Sequence, residues 1–175
     1  DKDGDIDLVV GNLGNNYKYQ ANEDETFDIF YNDFDGNNSG DIVLSYYNDG
    51  EQYPLRGRQC SSEQIPAIKL KFDDYDAFSI ATLEDVYTEP ALENSLHYFT
   101  KTFSSVYLEN DGNSFNMSKL PVLAQLSSIN KILKKDIDND GFVDIIVSGN
   151  MFNSEVETPR NDGSVGVLLK FHPNS

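Results

Sequence analysis

Oxygen-bearing side chains stand at alternate positions in three short tracts of this chain. In Asp136-Ile137-Asp138-Asn139-Asp140-Gly141-Phe142-Val143-Asp144, carboxylates fall at loop positions 1, 3, 5 and 9, with glycine at 6. In Asp33-Phe34-Asp35-Gly36-Asn37-Asn38-Ser39-Gly40-Asp41 the same positions carry Asp33, Asp35, Asn37 and Asp41, with the glycines displaced to positions 4 and 8. Asp1-Lys2-Asp3-Gly4-Asp5-Ile6-Asp7 aligns so that Asp1, Asp3 and Asp7 fill positions 3, 5 and 9, and position 1 would lie upstream. The chemistry this pattern serves is coordination of a hard cation. Ca²⁺ takes about 6–8 oxygen ligands at about 2.3–2.6 Å, and a tight loop with an oxygen at every second residue turns them toward one centre. Position 7 adds a backbone carbonyl, from Asp5, Ser39 or Phe142. Glycine near position 6 permits the sharp turn. Without a cation, so many neighbouring carboxylates repel one another. Asp, Asn and Gly also mark ordinary solvated turns, but three tracts with matching offsets point to two or three Ca²⁺ sites.

The flanks decide which elements hold these loops. An EF-hand needs Glu at position 12 and a following helix; here position 12 is Leu44 or Val147. Each tract runs into an apolar, β-branched segment: Asp7-Leu8-Val9-Val10, Asp41-Ile42-Val43-Leu44 and Asp144-Ile145-Ile146-Val147. Such runs predict buried strands. Further strands are expected ahead of two loops, at Phe27–Tyr31 and Ile129–Leu133. The unit is strand, loop, strand, closed by Gly11-Asn12 in one copy and Gly149-Asn150 in another. EF-hand and dockerin readings are disfavoured. Asp7 and Asp41 lie 34 residues apart, and Asp41 and Asp144 lie 103 apart. Repeats on this scale suggest a propeller or another repeat array, and the second interval exceeds a single blade of roughly 40–50 residues.

The repeated Asp-x-Asp-x-(Asp/Asn)-Gly-x-x-Asp, followed by an apolar strand and Gly-Asn, resembles the FG-GAP/VCBS repeat of integrin α-subunit heads and bacterial secreted β-propellers. Ser105–Phe115 resembles the strand 3, turn, strand 4 half of such a blade, and Leu120-Pro121 with Gln125 fits the bacterial pattern. So does the tract after Gly149-Asn150, with Glu155, Glu157 and 160–166. The departures are Asn37, the displaced glycines and the incomplete first loop. The resemblance implies an all-β fold, a partial β-propeller with a small α-helical insertion, with structural Ca²⁺ on the loop residues. A closed propeller needs at least four blades, so the remainder of the ring is expected upstream.

Between Gln52 and Thr102 the period changes. Ser61-Ser62-Glu63-Gln64 is a helix start, with Ile65, Ile68 and Phe72 following and Pro66 in the first turn. Phe78, Thr82, Leu83 and Val86 recur at helical spacing, and Thr88 is placed to cap a third helix carrying Leu92, Leu96 and Phe99. The expected organisation is blades with two calcium loops over 1–51, a helical insertion within a blade over 52–103, and blades with the last calcium loop over 104–175.

Composition limits the partners. Lys plus Arg total 13 against 30 Asp plus Glu, a net charge of −17. Nucleic acid is excluded as a partner, because phosphate contacts need cations. No apolar run is long enough for membrane insertion by a helix. An aromatic content of 12% implies a packed core rather than an acidic disordered tail. Cys60 has no second cysteine to pair with, and His97 and His172 have no zinc-type spacing. Nucleophile-elbow and phosphate-loop motifs are missing, so no catalytic residue is assigned. Tyr17, Tyr19, Tyr46, Tyr47 and Tyr53 are either packing between blades or a stacking surface for sugars or proteins. Arg56, Arg58 and Arg160 are each a clamp for an acidic group or a partner for a nearby carboxylate. Together with the resemblance, these features lead to a calcium-stabilised, non-catalytic binding or scaffold module for a protein or glycan ligand. Its expected location is extracellular, periplasmic or attached to the outer membrane of a bacterium. The alternative is a secreted propeller enzyme, such as a calcium-dependent polysaccharide lyase or hydrolase; a purely adhesive repeat is a third reading.

Overall fold

The computed structural model describes residues 4–154 and 158–170. It is mostly β-sheet, with three antiparallel sheets and a cluster of short helices. The chain divides into two compact units, one made of residues 1–18 and 103–175 and the other running from Tyr19 to Thr102.

In the Tyr19–Thr102 unit, strand β2 (Phe27–Asn32) passes through the 33–40 loop into β3 (Asp41–Asn48). Strand β3 turns at Asp49-Gly50 into β4 (Glu51–Pro54). Both turn residues have positive φ, 52° and 81°, as a two-residue hairpin turn of the twist-matched type requires. Five short helices follow: α1 (Arg58–Gln64), α2 (Ala67–Lys71), α3 (Tyr75–Ser79), α4 (Leu83–Tyr87) and α5 (Glu89–Glu93). The chain then returns as β5 (Leu96–Thr100) along the far side of β2, giving the order β4-β3-β2-β5. The sequence alternates along β2 and β3, so Phe30 and Val43 point to one face. There they share a core with Ile65, Ile68, Phe78, Leu83, Val86 and Leu92 of the helical segment. The helices are therefore a cover over this sheet, in one compact unit with strands 27–54.

Local chemistry sets different helix limits from those expected. Ser61–Gln64 ends α1 rather than opening a helix, and Pro66 stands at the N-cap of α2. The single expected helix past Asp76 is two. Asp74 caps α3 by accepting the Ala77 N–H, and Thr82 and Asp85 close a reciprocal capping box on α4. Thr88 precedes α5 but its side chain makes no cap, because its φ is +65°. Leu96 and Phe99, expected on that helix, lie in β5: the run Leu-His-Tyr-Phe-Thr is strand-forming and pairs in register with β2. Arg58 is buried and clamps no acid; its guanidinium donates to the carbonyls of Phe72, at 2.7 Å, and Asp73, at 3.1 Å.

The other unit contains two three-stranded sheets. Strand β1 (Leu8–Val10) pairs with β6 (Val106–Asn110), which forms a hairpin with β7 (Phe115–Lys119). Strand β9 (Asp144–Ser148) lies between β8 (Lys131–Lys135) and β10 (Val167–Leu169). One face of each sheet meets in a common core: Val9 and Tyr107 from the first, Ile145, Val147, Val167 and Leu169 from the second, with Leu120 and Ala124. Buried Gln125 substitutes for a strand partner, accepting the Ser105 N–H and donating to the carbonyls of Ser105 and Leu120. The repeated Gly-Asn step has a steric reason. A Cβ on Gly11 would lie 2.6 Å from the Ile129 carbonyl oxygen, and one on Gly149 would lie 2.4 Å from the Ser128 carbonyl oxygen.

Candidate metal centres

Two acidic loops, one in each unit, bring three aspartates together. Carboxylate oxygens of Asp33, Asp35 and Asp41 all lie within 4.8 Å of one another, and so do those of Asp136, Asp138 and Asp144. In each triad the position-1 residue is half-buried, the position-3 residue exposed and the position-9 residue buried. Strands set this arrangement. Position 9 is the first residue of β3 or β9, and the preceding strands β2 and β8 deliver position 1 to the other side of the hairpin.

The two loops share four hydrogen bonds, and in the first the Asn37 N–H also donates to Asp33 Oδ1 at 3.0 Å. The position-2 N–H donates to the position-9 carboxylate at 3.0 Å in both, from Phe34 to Asp41 and from Ile137 to Asp144. The position-5 N–H donates to position 3, from Asn37 to Asp35 at 3.1 Å and from Asp140 to Asp138 at 3.3 Å. The position-6 N–H donates to position 1, from Asn38 to Asp33 at 2.8 Å and from Gly141 to Asp136 at 3.0 Å. The position-7 N–H donates to position 5, from Ser39 to Asn37 at 2.7 Å and from Phe142 to Asp140 at 2.8 Å. Both loops also take positive φ at positions 4 and 6. Gly36 and Asn38 have 74° and 64°; Asn139 and Gly141 have 61° and 85°. The displaced glycine is thus an exchange of glycine and asparagine, the residues that best tolerate this region, on one backbone. The second glycine, Gly40, answers a close approach instead: a Cβ there would meet the Tyr31 hydroxyl at 2.1 Å.

This donor set fits a bound cation. Opposite ligands of a Ca²⁺ ion stand about 4.6–5.2 Å apart, so each triad matches one coordination shell. Asp41 and Asp144 are only 4% and 1% exposed, and each accepts one backbone N–H. Burying a carboxylate without a countercharge is unfavourable. One oxygen of Asp136, Oδ1, is buried with no hydrogen-bond partner at all. At position 5, Asn37 Oδ1 accepts the Ser39 N–H and Asp140 Oδ1 accepts the Phe142 N–H. The Lys170 ammonium lies 2.5 Å from Asp138 Oδ2. That contact holds the Asp138 carboxyl below its ordinary range and raises Lys170, which Asp144 and Asp140 raise further.

The first tract is different. Asp1 and Asp3 lie outside the described residues. Asp5 is exposed, and Gly4 has φ +102°, matching position 6 of the other loops. Asp7 at position 9 accepts the Tyr107 hydroxyl at 2.6 Å and the Asn110 N–H at 3.0 Å. These bonds lower its carboxyl pKa.

One pairing was not legible in the sequence. His97 Nε2 lies 2.6 Å from Asp28 Oδ1, with the Asp28 side chain 4% exposed and that of His97 39% exposed. The Thr26 hydroxyl donates to Asp28 Oδ2 at 2.6 Å, and the imidazole stacks on Phe30 with centroids 4.2 Å apart. The two residues are 69 apart; a strand reading of 96–100 was the available signal. On the opposite face of the same sheet, Tyr31 and Tyr98 are 50% and 64% exposed. Among the described residues no helix is long and apolar enough to cross a membrane. No protein-family model, curated protein or solved structure matches this chain.

Proposed function

We propose that this chain is part of a calcium-stabilised β-propeller of the FG-GAP/VCBS kind, acting as a non-catalytic binding or scaffold module for a protein or glycan ligand outside the cell. The observation that carries this reading is the set of four hydrogen bonds that the 33–41 and 136–144 loops have in common, each loop closing a hairpin around three carboxylates. Such duplication is what repeated blades would leave. The uncovered sheet faces support the same reading. Leu8, Val10 and Met117 on one sheet, Leu133 and Leu168 on another, and Ile29, Tyr31, Ile42, Leu96 and Tyr98 on the third are exposed. In a closed ring each such face would be covered by a neighbouring blade, contributed by chain beyond these residues. Ca²⁺ suits the loops better than Mg²⁺, which demands an octahedral shell at about 2.0–2.1 Å and gives up water reluctantly. The ion would hold the loops rigid, and ligand contacts would come from them and from the helical segment.

Scanning calorimetry tests the reading. Chelation with EDTA should lower the melting temperature, and Ca²⁺ should restore it at concentrations where Mg²⁺ does not. Melting that is indifferent to chelator would overturn the calcium assignment. The His97–Asp28 pair favours a second reading, a secreted polysaccharide lyase or hydrolase. Asp28 lies five residues along the chain from Asp33, about 17 Å in an extended strand, so a reaction there would not use the bound ion. Turnover of acidic polysaccharides, abolished by His97→Ala, would establish it.

A further inference from the structure

We infer that Lys170 is a built-in competitor for the cation of the 136–144 loop. This inference rests on the calcium reading above. The ammonium lies 2.5 Å from Asp138 Oδ2, on one of the three carboxylates that form the triad. It is a positive charge set against the very group a cation needs. The two loops otherwise differ in charge at one ligand position. The 33–41 loop carries three carboxylates and Asn37, whereas the 136–144 loop carries four, with Asp140 at position 5. Ligand charge is one of the variables that sets Ca²⁺ affinity. Lys170 cancels the extra carboxylate, leaving each loop with a charge of about −3. Among the described residues, no ion pair reaches Asp33, Asp35 or Asp41, so the first loop has no such competitor. The Lys170 side chain is 40% exposed, free to leave Asp138 when the ion enters. A lysine here lowers the affinity of the second loop toward that of the first.

The test is Ca²⁺ titration by calorimetry in an Asp35→Asn background, which weakens the first loop and isolates the second. Lys170→Gln should tighten binding about two- to fivefold, the range that an exposed ion pair supports, and Lys170→Glu should tighten it further. In the unsubstituted chain, the ¹⁵N-detected ammonium signal of Lys170 should lose its carboxylate hydrogen bond on adding Ca²⁺. Equal affinities in all three proteins, or an ammonium signal unmoved by Ca²⁺, would overturn the role of Lys170 and leave the calcium site standing. Absence of Ca²⁺ binding to every variant would remove the calcium reading and this inference with it.

Discussion

Replacing Asp144 with asparagine should move the stability of the protein in opposite directions with and without calcium. Asp144 is fully buried at the start of β9, and its Oδ2 accepts the Ile137 N–H at 3.0 Å. The carboxamide is nearly isosteric and keeps an acceptor for that N–H, but it removes a buried negative charge. In EDTA the charge has no cation, so Asp144→Asn should be at least as stable as the parent, by up to about 1 kcal/mol. With calcium the sign reverses. A loop of extracellular affinity, with Kd of about 0.1–1 mM, adds RT ln(1 + [Ca²⁺]/Kd), about 1.4–2.7 kcal/mol at 10 mM ion. For a unit of ~90 residues, this is a rise of about 6–20 °C in melting temperature, at about 4–8 °C per kcal/mol. Asp144→Asn should lose most of that rise. The assay is paired scanning calorimetry of both proteins in EDTA and in 10 mM Ca²⁺. A variant that loses equal stability in both buffers would show that Asp144 is a structural acceptor only. A variant with an undiminished calcium response would show that the triad is not the site.

Three further outcomes follow from the structure. Asn38→Gly and Asn139→Gly should leave stability unchanged or raise it by up to about 1 kcal/mol, because both asparagines hold positive φ. Gly141→Val should destabilise by about 1–3 kcal/mol, since a β-branched residue is strained at φ 85°; urea midpoints distinguish the two classes. Tyr107→Phe should cost about 1 kcal/mol at neutral pH by removing the hydroxyl donated to Asp7. The Asp7 carboxyl is lowered in the folded state, so its stabilisation is present above the ordinary carboxylate pKa and is lost as pH falls through the folded value. Urea midpoints taken between pH 5 and pH 2 should therefore fall less steeply for Tyr107→Phe than for the parent. A parallel decline would refute the linkage.

The strands beside the acidic loops were legible because two independent signals coincide there. Apolar β-branched runs and oxygen-rich turns both mark the Phe27–Leu44 and Ile129–Val147 segments, and the observed hairpins fall on them within two or three residues. The helical segment was legible in kind but not in its joints. Its helices are five to seven residues long, so a single capping residue decides where each begins, and Asp74 outcompeted the longer apolar period. Strand β5 was missed because its neighbour in space, β2, is 69 residues away at the paired His97 and Asp28. Periodicity over five residues could not separate it from a continuing helix. Lys170 carried no signal at all: nothing in its surroundings along the chain ties it to Asp138, 32 residues earlier.

Each compact unit owns one triad, 33–41 within Tyr19–Thr102 and 136–144 within the other. Any dependence on cation would therefore fall into two separate balances. In each, the first residue of the second strand is buried at the end of the hairpin ladder, Asp41 opposite Asn32 and Asp144 opposite Lys135. The hairpin thus holds a carboxylate at a buried position. One backbone N–H meets part of its demand, and a divalent ion would meet the rest. Loss of the ion should therefore loosen the two hairpins without melting either apolar core, whose buried members, such as Phe30 and Leu83 in one and Leu120 and Ala124 in the other, lie outside the two loops. Hydrogen exchange makes this concrete. In EDTA the amides of Phe34, Asn38, Ile137 and Gly141, which donate to loop carboxylates, should exchange faster, while those of β2 and β9 away from the loops keep their protection. Uniform loss of protection throughout a unit would mean that the cation governs global folding there, and would refute a locally held balance.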